Sequence, residues 1–91
     1  MTPETRQATI NAFARAHAFR TSDMARTIKQ DNETKVKFMN TLHNIIARRP
    51  ETPRNKVGAP LLSDYDMVAA QPTEIAEAAL VALGEIQPIK P

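Results

Sequence analysis

Asp31-Asn32-Glu33-Thr34-Lys35-Val36-Lys37-Phe38-Met39-Asn40-Thr41-Leu42-His43-Asn44-Ile45-Ile46-Ala47-Arg48-Arg49 is the stretch that decides the fold. Asp31-Asn32 is a helix start signal, with Glu33 or Thr34 opening a long helix. Val36, Met39, Leu42, His43 and Ile46 fall on one arc of about 120° at the helical period, with Phe38 at its border. The opposite arc carries Thr34, Lys37, Asn40, Thr41 and Asn44, and no carboxylate occurs between Thr34 and Glu51. Pro50, Pro53, Gly58 and Pro60 forbid a continuous helix beyond about Ala47. Residues 45–62 then read in two ways. Ile45 to Arg49 finishes as a strand that returns, after a loop, as a second strand at Lys56-Val57 or Leu61-Leu62, or the segment is an extended linker.

Working outward, Thr2-Pro3 is an N-cap followed by proline at the first helical position. Ile10, Phe13, Ala14 and His17 make one stripe, so a first helix is expected from Pro3 to Ala18, with Phe19 near its end. Thr21-Ser22-Asp23 is a second cap cluster, and Met24, Ala25 and Ile28 give a brief second helix its apolar face. Ser63-Asp64-Tyr65-Asp66 reads as a turn. Pro72-Thr73-Glu74 opens a final helix with Ile75, Ala76, Ala79, Leu80 and Leu83 on one face and Gly84 as its C-terminal cap. Pro88 and Pro91 mark an extended tail. The expected class is mainly α, with residues 1–68 as one unit and residues 69–91 as a C-terminal helix and tail for packing or dimerisation.

Composition narrows the classes. Ninety-one residues suit one small domain, and 14 alanines among the apolar residues suit helices. With no tryptophan and one tyrosine, a β-sandwich or barrel is disfavoured. The absence of cysteine excludes a disulfide scaffold and a thiolate metal site. No apolar run approaches the ~18 residues of a membrane span, and Met1 to Arg6 lacks a signal-peptide core, so a cytoplasmic protein is expected.

Charge is segregated. Residues 1–56 hold eleven of the twelve Lys and Arg against five acids, a net of +6. Residues 57–91 carry Lys90 against five acids, a net of −4. Such asymmetry points to a polyanionic partner for the basic half, or to neutralisation of one half by the other. Seven of the cations are arginine, which favours planar contacts with phosphate or guanine.

Three helices followed by a basic, proline-containing excursion have the order of a winged helix-turn-helix. The segment Phe19-Arg20-Thr21-Ser22-Asp23-Met24-Ala25-Arg26-Thr27-Ile28 is similar to the start of the second helix of such domains, and Leu42-His43-Asn44-Ile45-Ile46 resembles the end of their third. The likeness covers roughly residues 4–68; it departs from the tight form at Lys29, where glycine is usual, and at Val36, one position late. The resemblance to this DNA-binding superfamily implies that the third helix enters the major groove. Thr34, Lys37, Asn40, Thr41 and Asn44 would read bases or phosphates. Arg20, Arg26 and Lys29 would grip the adjoining backbone, and Arg48, Arg49, Arg54 and Lys56 would lie on the wing.

Chemistry of other kinds finds little support. His17 and His43 have no His-x-x-x-His or His-x-x-Glu spacing. Ser22 and Ser63 lie in a cap and a turn, and two glycines cannot build a phosphate loop. Asp64 and Asp66 flank Tyr65 in a turn, where aspartate serves local hydrogen bonds. No enzyme, metal or cofactor is expected. The leading expectation is a small duplex-DNA-binding regulator of bacterial, phage or plasmid type. Its last helix would dimerise through Ile75, Ala79, Leu80 and Leu83, or pack on the first helix. The alternative is a helical inhibitor or adaptor that holds a protein partner through that acidic, alanine-rich helix. Single-stranded nucleic acid is disfavoured, since Phe13, Phe19 and Phe38 are committed to packing rather than stacking.

Overall fold

A computed structural model of the chain describes residues 1–17, 20–28 and 31–89. It is mainly α: α1 (Pro3–Ala16), α2 (Thr21–Thr27), α3 (Asn32–Ala47), α4 (Asp64–Val68) and α5 (Pro72–Ala82). The expected end of the first helix at Ala18 and Phe19 lies outside the described residues.

The helix ends follow their local chemistry. Thr2 Oγ1 accepts a 3.1 Å bond from the Thr5 N–H, and Asp31 accepts one of 2.7 Å from the Thr34 N–H. Both satisfy donors that have no partner within a helix. Gly84 closes α5 at φ +78°, a left-handed conformation that glycine adopts without a side-chain clash. Glu85 N–H donates to Leu80 C=O and Gly84 N–H to Val81 C=O, the paired bonds of a Schellman cap. Two readings change here. Thr21 is the first residue of α2 rather than its cap, because its hydroxyl donates instead to Met67 C=O at 2.7 Å. Ser63–Asp66 is the start of α4, not a turn: Ser63 Oγ accepts from Asp66 N–H while Asp66 Oδ2 accepts from Ser63 N–H, a reciprocal capping box.

Two apolar clusters share α5. Ile75, Ala78 and Ala79 meet Met24, Ile28, Phe38, Leu42, Ile45 and Ile46 from α2 and α3. Ala76, Leu80 and Val81 meet Ile10, Ala14 and Ile86 on the other side, with Phe13 packed against both clusters. A helix apolar on nearly every face must be buried, and alanine at 76, 78 and 79 lets its neighbours approach closely. So α5 is the central helix, on which α1 and α3 both pack. Among the described residues α5 completes the core of the preceding helices. The buried arc of α3 runs through Phe38, Leu42, Ile45 and Ile46; Val36 is 56% exposed and His43 is exposed, so both leave the core stripe.

The β wing is replaced by a loop. Ile45 and Ile46 remain helical and buried, and no strand forms among the described residues. A single antiparallel bridge pairs Arg54 with Pro60, held by Asn55 N–H to Ala59 C=O at 3.0 Å and Leu61 N–H to Pro53 C=O at 2.7 Å. Pro53 and Pro60 have no N–H to extend the ladder, and Gly58 turns the chain between them at φ +85°.

Candidate nucleic-acid interface

The cations proposed from sequence divide into two groups. Arg48 and Arg49 follow the last turn of α3 and turn back onto α5. Arg49 grips Glu74 with two parallel bonds, Nε to Oε2 at 2.7 Å and Nη2 to Oε1. Arg48 Nη2 donates to Glu77 Oε2 at 2.9 Å, and the same oxygen accepts from Arg6 Nη2 of α1 at 3.1 Å. Arg6 also donates to Gln87 C=O. Glu74 and Glu77 are one turn apart on the same face of α5, so they receive cations from α1 and from the end of α3 together.

Arg54 is likewise committed. Its guanidinium donates to Gly58 C=O at 2.9 Å and to Ala47 C=O at 2.7 Å, closing the loop and satisfying a terminal carbonyl of α3. Thr52 Oγ1 does the same for Ile46 C=O. Arg48, Arg49 and Arg54, read from sequence as wing cations, thus bond within the chain, to α5 and to the end of α3. The segregated charge is in part neutralised within the chain, as one of the two sequence readings anticipated.

The second group faces water. Lys37, Asn40 and Asn44 are exposed along α3, and Thr34 and Thr41 are half-buried at the edges of that face. Among the described residues no ion pair involves Lys35 or Lys37. Arg20 is exposed, and Arg26 pairs only with Asp23 in its own turn while staying 78% exposed. Lys56 is exposed in the loop; Lys29 lies outside the described residues. Asp31 and Glu33 give the start of α3 a negative end, and the exposed Lys35 and Lys37 follow within its next turn.

The expected dimer seam does not survive. Ile75, Ala79 and Leu80 are buried inside the chain, and Leu83 alone of the four is exposed, at 38%. On the same helix Ala76, Ala78 and Ala79 are core residues, and Glu74 and Glu77 are paired within the chain. Packing of the last helix on the first, the other option read from sequence, is what occurs. No cluster of His, Asp and Glu that would hold a metal ion occurs among the described residues, and no helix there is long and apolar enough to cross a membrane.

Three carboxylates, Glu74, Asp66 and Asp31, have depressed pKa values. Burial pushes the Glu74 carboxyl up, but bonds from Arg49 and the Gln71 N–H, with the charges of Arg49 and Arg48, hold it below its ordinary 4.5. Asp66 and Asp31 lie below 3.8, held by the N–H and hydroxyl groups of Ser63 and Thr34 respectively. Groups with lowered folded pKa values stabilise above the unfolded value, and that contribution is lost as pH falls through the folded value. The midpoint of thermal unfolding is therefore expected to be flat from neutrality to about pH 5 and to fall steadily below it. Glu74→Gln should melt earlier at pH 7 and show a shallower acid decline, read from circular dichroism melts across that range.

Set against protein families, curated proteins and solved structures, the chain matches none of them.

Proposed function

We propose that the protein binds duplex DNA through the exposed face of α3, in the manner of a helix-turn-helix without a β wing. The observation that carries this reading is the division of charge. The α5 carboxylates are tied to Arg6, Arg48 and Arg49, which leaves Lys37, Asn40 and Asn44 on α3 and Arg20 at the cap of α2 open to an outside partner, with Arg26 of α2 paired to Asp23 but 78% exposed. Lysine and arginine neutralise phosphates, and asparagine pairs with an adenine edge in the major groove. A regulatory role follows from such binding only if the site is specific, and a single recognition helix supplies limited specificity.

The test is the affinity of the purified protein for a generic duplex across a range of salt concentrations. With Arg48, Arg49 and Arg54 committed to the fold, about four phosphates are neutralised, and log K should fall with log salt at a slope of about −3 to −4. Undetectable binding at low salt would refute the reading.

A further inference from the structure

A groove of about 510 Å3 lies between α2, α3 and α4. Ala25, Met39 and Met67, packed against the core from outside, give it an apolar floor. Arg20, Arg26 and Lys35 stand around it, and no carboxylate lines it. Thr21, also in its wall, has its hydroxyl engaged by the Met67 carbonyl, which fixes α2 against α4 along the groove. We propose that this groove binds a small anionic amphiphile: an aliphatic carboxylate whose chain lies on the methionine floor and whose head meets the cationic rim.

The chemistry follows from the lining. The volume is that of a small-molecule site rather than of a flat protein interface. Two methionines adapt their shape to a flexible alkyl chain. A guanidinium offers a planar fork that matches a carboxylate, and such charge-assisted bonds are stronger than neutral ones. Arg26 already pairs with Asp23, but a neutral apolar ligand would leave Arg20 and Lys35 at the rim without a counter-charge, so the charge selects an anion.

The probe is monomeric decanoate, titrated into the full chain and followed by amide chemical shifts, with decanol as the uncharged control. Saturable binding is expected, with shifts confined to α2, α4 and the first half of α3, and at least tenfold weaker binding of decanol. Ala25→Trp should fill the groove and abolish binding. Lys35→Glu, at an exposed position that does not threaten folding, should weaken decanoate at least tenfold. Lys37→Ala should leave it unchanged, which separates this site from the DNA face that shares Arg20 and Arg26. Absence of saturation, equal affinity for decanol, or indifference to Lys35→Glu would overturn the proposal. So would an acidic amphipathic peptide that occupies the groove where decanoate does not, since the site would then belong to a protein partner.

Discussion

Phe38→Ala should cost about 3–5 kcal/mol of stability, the range for removing a fully buried aromatic ring from a core. Phe38 is fully buried, at 0% exposure, and sits in the cluster where α2 and α3 meet α5. Leu42 and Ile46 of α3 and Ile75 of α5, in the same cluster, are held by two packed helices, so they cannot close over the vacated volume. For a domain this small, each kcal/mol shifts the melting midpoint by roughly 4–8 °C, and a fall on the order of 20 °C is expected. Marginal stability makes that loss large enough to leave much of the chain unfolded at 37 °C. Val36→Ala is the matched control: 56% exposed, it should move the midpoint by no more than a few degrees. If the two variants melted alike, the placement of the buried arc of α3 would be wrong.

Glu77→Ala should be the most damaging change at a charged residue. Its Oε2 accepts from Arg6 of α1 and Arg48 beyond α3, so one carboxylate joins three parts of the chain. All three side chains are largely shielded, at 16%, 30% and 13% exposure for Arg6, Arg48 and Glu77. Exposed pairs contribute about 0–1 kcal/mol, whereas removing one partner of a buried pair costs about 3–5 kcal/mol. With this degree of shielding, a loss of about 2 kcal/mol is expected, and it should shrink in high salt. Glu85→Ala, at an exposed carboxylate, should be nearly silent in the same chemical-denaturation measurement.

Much of the helical scaffold was legible because its signals are local. Thr2-Pro3, Asp31 and Gly84 act within one turn of themselves, and each does what its residue type dictates. The capping box at Ser63-x-x-Asp66 carries the same kind of local signal and marks α4; reading it as a turn overlooked that spacing. Elements that depend on distant partners were not legible. Arg49 and Glu74 are 25 residues apart, and Arg6 and Glu77 are 71 apart, so periodicity could display the charge segregation but not its pairing. The arc expected on α3 was centred on Met39 and His43, whereas the buried one, the second, runs through Phe38 and Ile45. The alanine face of α5 selects the second, because it accepts the ring of Phe38 where it could not satisfy an imidazole. Ile45-Ile46 has a strand-like composition, yet Thr52 and Arg54 satisfy the terminal carbonyls and let the helix run to Ala47.

On α3 the sequence identified a solvent-facing arc at Lys37, Asn40 and Asn44, and counted beside it cations that pair within the chain. Lys37, Asn40 and Asn44 stay exposed, as a solvated or a DNA-reading face both require, while the arginines that seemed continuous with them turn inward. The most direct test of that division is a paired measurement of duplex-DNA affinity and melting midpoint for Lys37→Ala and Arg49→Ala. Lys37→Ala should weaken DNA binding and make the salt slope about one unit shallower, with an unchanged midpoint. Arg49→Ala should lower the midpoint and, measured well below it, keep the wild-type slope. A Lys37→Ala protein that binds DNA as the wild type does, or an Arg49→Ala protein that loses DNA binding while melting normally, would contradict the account.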